Sequence, residues 1–309
     1  MNLQLDKLAT MITPPFLTRG DVVGIVAPAR KISANELKPA IEFLEMNGFR
    51  VALGKNIFAK DNQFAGTDEQ RAADFQTFLD DPDIKAVLCA RGGYGSVRII
   101  DRLDFGGFVQ SPKWICGYSD VTVFHSHLHR LGYATLHCTM PINIKEEDFY
   151  SPNNTSMVRA LTGKSLAYNV PSQPLNRTGE AHGVMVGGNL SILYSLLASG
   201  SDINTDGKIL FIEDLDEYLY HIDRMMMALK RSGKLANLAG LVVGGMSDMN
   251  DNTIPFGHTA EEIIARVTEE YNYPVCYGFP SGHLDDNMAL CLGTEVSLLV
   301  TERQTTLTF

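Results

Sequence analysis

Trp114-Ile115-Cys116-Gly117-Tyr118-Ser119-Asp120-Val121-Thr122-Val123-Phe124 compresses a strand, a corner and the start of a helix into one short run. Trp114-Ile115-Cys116 is apolar and reads as a short buried strand, while Val121, Phe124, Leu128 and Leu131 recur at spacings that suit a helix. Ser119 then stands at a strand-to-helix corner, where a side chain is lifted off the sheet edge and nearby backbone N–H groups point outward. A nucleophilic serine needs that setting, because attack on a carbonyl leaves an oxyanion that backbone donors stabilise. Val121 occupies the place of the second glycine in a G-x-S-x-G elbow. On these residues alone Ser119 or Asp120 as a plain helix N-cap is the commoner reading, since Ser and Asp are preferred there.

Working upstream, the same alternation repeats. Asp21-Val22-Val23-Gly24-Ile25-Val26-Ala27 is a strand closed by Pro28, and Leu37, Ile41 and Leu44 mark one face of a helix over 34–47. Val51-Ala52-Leu53 is a second strand, 70–79 a helix, and Lys85-Ala86-Val87-Leu88-Cys89-Ala90 a third strand. A glycine loop, a helix near 96–103 and strands at 114–117 and 134–140 complete the first half. Short apolar runs alternating with helical periods predict an α/β fold, a parallel sheet covered by helices. Ligands of such sheets bind beyond the carboxyl ends of the strands, where both the glycine loop and Ser119 fall.

Downstream, the polar, proline- and asparagine-containing text after Lys145 predicts a linker with one short helix, dividing the chain into domains at 1–150 and 179–309 around 151–178. The second part offers a strand Gly183-Val184-Met185-Val186, a Gly187-Gly188-Asn189 turn, and a helix over 190–198. Lys208-Ile209-Leu210-Phe211-Ile212 is a strand running straight into Glu213-Asp214; then come a long helix over 218–231, a strand over 240–243 and a helix near 259–270. Segments 289–292, 296–300 and 305–309 read as antiparallel strands. The topology of this mixed α/β part is not readable from the pattern.

The 309 residues carry a formal net charge of −10, with 45% hydrophobic and 20% charged residues. That is a globular chain with a real core, and its acidic balance argues against a nucleic-acid or anionic-membrane partner. There is no apolar run long enough to span a bilayer, and the first seven residues lack a signal peptide's apolar middle. Five scattered cysteines, mostly in strand-like runs and without a C-x-x-C pair, indicate reduced core thiols and a cytoplasmic protein, with no zinc or dithiol centre.

A nucleophilic serine needs a base, and the base an orienting acceptor. His125, His127 and His129 sit two apart on a helix and diverge. His125 and His129, four apart, could share a metal, but no third ligand presents itself. His137, His182 and His221 are structural by default. His283 differs: it ends Gly278-Phe279-Pro280-Ser281-Gly282-His283, a loop directly after the strand Val275-Cys276-Tyr277. His258 can simply precede a helix. Glu213 is the matching acceptor, a carboxylate ending a very apolar strand that must be partnered by an imidazolium or by a structural lysine or arginine. Asp214, Asp216 and Glu217 are next. The loop Ala90-Arg91-Gly92-Gly93-Tyr94-Gly95-Ser96 either cradles a phosphate or supplies half an oxyanion hole, with Arg91 free for a substrate carboxylate.

In order along the chain stand Gly20–Ala29, Arg91-Gly92-Gly93-Tyr94-Gly95, Gly117-Tyr118-Ser119-Asp120-Val121-Thr122 and Gly187-Gly188-Asn189-Leu190-Ser191. Ile212-Glu213-Asp214, Ile222-Asp223-Arg224-Met225 and the Gly278–His283 loop follow. Together they resemble the LD-carboxypeptidase family of serine peptidases, which includes muramoyl-tetrapeptide carboxypeptidases and microcin-immunity hydrolases. The resemblance implies a flavodoxin-like N-terminal domain carrying the nucleophile Ser119, and a smaller β-rich C-terminal domain carrying the acid Glu213 and the base His283. It implies a site between the domains, no cofactor or metal, and a homodimer. The expected oxyanion donors are the N–H groups of Asp120 and Gly93, with Arg91 on the terminal carboxylate. The implied substrate is a muropeptide tetrapeptide losing its terminal D-alanine. The alternatives are hydrolysis of a peptidyl-nucleotide acyl-amide and a non-enzymatic protein that binds an anion or nucleotide.

Overall fold

The structure is a computed structural model and describes residues 11–309; the first seven residues, read above for a leader, lie outside that range. The first half runs β1 (Val22–Val26), α1 (Ala34–Met46), β2 (Arg50–Leu53), α2 (Asp68–Asp80), β3 (Ile84–Cys89), α3 (Gly106–Gln110), β4 (Trp114–Gly117), α4 (Thr122–Arg130) and β5 (Thr135–His137). The second half continues with α5 (Pro152–Leu161), β6 (Ala167–Pro171), β7 (Gly179–Asn189), α6 (Leu190–Ser195), β8 (Ile209–Leu215), α7 (Leu219–Arg231), β9 (Gly240–Ser247), α8 (Ala260–Val267), β10 (Val275–Cys276), β11 (Leu290–Leu292), β12 (Glu295–Val300) and β13 (Gln304–Thr308).

The first sheet has the order β2-β1-β3-β4-β5, all parallel, with β11 added antiparallel beside β5. This is the flavodoxin-like order, whose crevice opens at the carboxyl ends of the strands. The second sheet has the order β10-β9-β8-β7-β12-β13-β6: four parallel strands continued by an antiparallel meander. The mixed α/β expectation holds. Helix starts follow local chemistry: Ser33, Thr67 and Thr259 each close a reciprocal capping box with Glu36, Gln70 and Glu262.

Four local expectations are corrected. The 96–103 segment is not an α-helix but two 3-10 turns, Ser96–Arg98 and Ile100–Arg102, closed by three-residue bonds such as Arg98 N to Gly95 O and Leu103 N to Ile100 O, with the Ser96 N–H held by the Asp120 carboxylate. The stretch read as a linker is folded: α5 packs Met157, Ala160 and Leu161 inward, and β6 pairs with β13. Its alternation of buried Tyr168 and Val170 with exposed neighbours is that of a strand with one face in water, and it lies at the edge of its sheet. The Gly187-Gly188-Asn189 turn is instead the carboxyl end of β7. A side chain at Gly187 would strike the Phe211 carbonyl of β8, so the strand itself requires glycine there. Finally, β11, read with the tail strands, leaves them for the first sheet.

Burial joins the two sheets into one body. A single apolar core runs from Leu37, Leu88 and Leu136 around the first sheet to Phe211, Phe279 and Leu298 of the second. Separate cores lie under α2 and α4, where Phe75 and Phe124 stack at 4.3 Å, and under α7 and α8. All five cysteines are free and buried. Among the described residues no helix is long and apolar enough to cross a membrane.

Candidate active site

Loops from the carboxyl ends of both parallel strand sets line one cavity of about 510 Å³. The first sheet contributes Arg30 after β1, Arg91, Gly92 and Gly93 after β3, and Tyr118, Ser119 and Asp120 after β4. The second contributes Asn189 from the end of β7, Asp214 through Glu217 from the end of β8, and His283 from the loop after β10.

Ser119 opens a 3-10 turn that leads into α4, with φ of +63°, a left-handed conformation costing a non-glycine residue about 1–3 kcal/mol. Neither Ser119 nor Asp120 caps the helix with its side chain. Asp120 is instead buried beneath the corner, and its Oδ2 accepts the Ser96 N–H at 2.8 Å, tying the glycine loop to the serine turn. Burial raises the Asp120 pKa, against hydrogen bonds from Ser96 and Gly95 that favour the anion. The loop passes directly over the serine: a methyl group on Gly92 would lie 3.1 Å from Ser119 Cβ and 3.2 Å from its Oγ. Arg71, buried on α2, donates to Pro28 O at 2.6 Å and Gly95 O at 3.0 Å and so pins the loops after β1 and β3 together.

Opposite, His283 Nδ1 lies 2.6 Å from Glu213 Oε2, and the His283 backbone N–H donates to the same oxygen at 3.1 Å. The double contact fixes both ring position and tautomer, leaving Nε2 as the nitrogen without a carboxylate. Glu213 is fully buried, whereas the imidazole is 15% exposed. It sits at a register shift between β8 and β9, a bulge that re-aims strand side chains. The fit needs Gly282: with φ of +106°, any Cβ there would come within 2.6 Å of Glu213 Oε2. Burial draws the His283 pKa down, but the hydrogen bond and charge of Glu213, with Asp214 adding, outweigh it and the net shift is upward. The Tyr118 ring packs on the imidazole at 4.8 Å. Ser119 and His283 line the same cavity without a direct hydrogen bond between them.

Asp214, beside Glu213, is buried and accepts from Asn189 Nδ2 (2.9 Å), Ser191 N (2.8 Å) and Leu215 N (2.9 Å). Burial and then the Glu213 charge push its pKa up to about 7. Asn189 N in turn donates to Thr122 Oγ1 at 2.9 Å, a hydrogen bond between the two halves beside the serine turn. Arg91 reaches the cavity with its guanidinium 3.8 Å from Glu36. Sequence reasoning missed Arg30, whose side chain lies across Gly93; the available signal was a cation just past the first strand.

The other histidines serve structure. His125 is fully buried with Nε2 2.9 Å from Gly117 O; His129 meets Thr135, His127 meets Ser201, His221 meets Glu217, and His258 meets Arg266. Among the described residues no group of three or more His, Cys, Asp or Glu is placed to hold a metal ion.

Two family models match this architecture: the LD-carboxypeptidase N-terminal domain over residues 23–138 and the LD-carboxypeptidase C-terminal domain over residues 182–298. The chain belongs to the LD-carboxypeptidase family. It is therefore an enzyme of the peptidase class. A probable murein peptide carboxypeptidase of Bacillus subtilis is 36% identical over 94% of this chain and 92% of its own length. The murein tetrapeptide carboxypeptidase of Pseudomonas aeruginosa is 30% identical over 86% and 89%. The crystal structure of a muramoyltetrapeptide carboxypeptidase from Oxalobacter formigenes superposes with a TM-score of 0.85 at 27% identity, covering 93% of this chain and 98% of that one. The microcin C7 self-immunity protein MccF of Escherichia coli is 24% identical over 91% of each chain.

Proposed function

We propose that the protein is a serine carboxypeptidase that hydrolyses the amide between an L-centre and a terminal D-alanine in murein tetrapeptides, using Ser119, His283 and Glu213. The observation that carries this reading is the buried Glu213 bonded at 2.6 Å to a largely buried imidazole that shares a cavity with a serine in a strained, left-handed conformation. His283 Nε2 takes the Ser119 proton as Oγ attacks the carbonyl, while Glu213 steadies the imidazolium. The Asp120 and Gly93 N–H groups receive the oxyanion. His283 then gives the proton to the departing D-alanine nitrogen, and water, activated by the same imidazole, releases the acyl group. The serine and base close to hydrogen-bonding distance when substrate fills the cavity, as catalytic contacts commonly tighten in the Michaelis complex. Arg91, with Arg30, is suited to the terminal carboxylate. The setting would be cytoplasmic murein recycling by a homodimer.

The test is identification of the amino acid released from L,D- and D,D-linked tetrapeptides. D-alanine from the L,D peptide, lost in Ser119→Ala and retained with a chelator, supports the assignment; full activity in Ser119→Ala refutes it. The likeness to MccF favours one other reading, acyl-amide hydrolysis of a peptidyl-nucleotide, which an aminoacyl-sulfamoyl adenylate substrate tests directly.

A further inference from the structure

Two pieces of the chain stand beside the reacting groups without a part in the proton transfers: the Gly187-Gly188-Asn189 end of β7, and Thr122, which opens α4 just past the serine turn. The structure joins them. The Thr122 backbone N–H donates to Ser119 O and closes the serine turn, while its Oγ1 accepts the Asn189 N–H at 2.9 Å. Thr122 is fully buried and Asn189 nearly so, and an N–H stripped of its acceptor there has no water to replace it. Gly188 permits the approach: with φ of +139°, a Cβ on it would lie 2.5 Å from Thr122 Oγ1.

Asn189 carries the connection to the base. It is the register partner of Glu213 in the parallel pairing of β7 with β8, and its Nδ2 donates at 2.9 Å to Asp214, the residue after Glu213. Its Oδ1 accepts Ser191 Oγ at 3.0 Å and Ile192 N at 3.2 Å, so the amide makes its bonds within the second half although Asn189 lines the cavity. Ser119, Thr122, Asn189 and Glu213 form a continuous path from the serine turn to the carboxylate that holds His283. An error of about 1 Å in the spacing of reacting groups can cost about 100-fold in rate, so a buried bond at this place bears on chemistry as well as on stability.

We infer that Thr122 and Asn189 are positioning residues whose hydrogen bond sets the distance between Ser119 and His283. This rests on reading those two as nucleophile and base, and adds what spaces them. Thr122→Val keeps the shape and removes the acceptor, whereas Thr122→Ser keeps the oxygen. Ser126→Ala is the control: farther along the same helix, Ser126 Oγ donates to Ser201 O of the second half at 2.6 Å, and its loss should lower stability but not kcat. Crystal structures and D-alanine release are measured for all three. Thr122→Val is expected to shift the Ser119 Oγ to His283 Nε2 separation by about 1 Å and to lower kcat roughly 10–100-fold, with KM within about twofold. Thr122→Ser should keep both the separation and kcat. Thr122→Ala, which removes the oxygen without a new methyl group, gives the same readout if the valine variant does not fold. An unchanged separation or kcat in Thr122→Val, or an equal loss of kcat in Ser126→Ala or Thr122→Ser, would overturn the inference. If the wild-type enzyme releases no D-alanine, the cleavage reading fails, and the separations in the variants still decide whether this bond spaces the two residues.

Discussion

His283 Nδ1 and Glu213 Oε2 are 2.6 Å apart, at the meeting of a glycine-rich loop and the end of an apolar strand. Glu213 Oε2 is held by the His283 backbone N–H, and the ring cannot turn without losing its Nδ1 bond to that same oxygen. Replacing Glu213 with Gln keeps the shape and removes the charge. We expect kcat for D-alanine release to fall by roughly 10²–10⁴, with KM nearly unchanged and the fold intact. A fall of less than threefold would remove Glu213 from the mechanism.

The same pair sets a pH dependence. The proposed mechanism requires neutral His283, and its pKa is raised above the ordinary 6.5. Activity should therefore fall as pH drops through a value above 6.5, and Glu213→Gln should move that acid limb lower. For stability the sign is opposite. A raised imidazole pKa contributes stability present below 6.5 and lost as pH rises through the folded value. A pH profile of kcat/KM for both proteins checks the first statement.

Gly282 constrains this geometry directly. Gly282→Ala combines a positive φ with a contact onto Glu213, and is expected to cost about 1–3 kcal/mol and most of the activity. Gly257→Ala is the control, since its φ is also positive but nothing lies within 4 Å of the added carbon. Urea unfolding of both variants, with activity assays, should separate contact from backbone strain.

Arg71 holds the loops after β1 and β3 by its bonds to Pro28 O and Gly95 O. Arg71→Met leaves the Pro28 carbonyl without its donor in a buried setting, while Gly95 O keeps only the Arg98 N–H, and should destabilise by about 2–4 kcal/mol. Because the glycine loop covers Ser119, KM should rise as well. Unchanged kinetics in the folded variant would show that the loop keeps its place without this anchor.

Three buried histidines are expected to cost the protein stability in acid. Burial lowers the pKa of His125 to about 4 and of His129 to about 3, and depresses His137 as well. Depressed values contribute stability that is present above 6.5 and lost as pH falls toward the folded values, because only the unfolded chain takes up protons there. Neither ring nitrogen of His137 has a hydrogen-bond partner. His137→Leu should therefore be nearly neutral at pH 8 and should flatten the loss of stability between pH 6.5 and 5. Thermal unfolding across that range decides it.

Much of this was legible in the chain because the relevant signals are local. Strand followed by polar corner followed by helix is written into 114–124, and an acid ending Ile209–Ile212 cannot be buried without a partner. The distant associations were not legible. Leu290–Leu292 has the composition of any buried strand, and only tertiary packing sends it to β5 instead of to its neighbours. Gly187 and Gly188 look like a turn because glycine serves turns and close strand contacts alike. The linker text of 151–178 hides an edge strand, since half of such a strand faces water. Arg71 enters the site's surroundings only through the fold, and Arg30 offered no more than its place as a cation just past the first strand.

The central claim is that Ser119 is the nucleophile and His283 activates it. The most direct measurement is intact-mass and peptide mapping after treatment with a fluorophosphonate. The account predicts a single adduct on Ser119, formed at least a hundredfold more slowly in His283→Gln and absent in Ser119→Ala. Labelling at another residue, or undiminished labelling in Ser119→Ala, would contradict it.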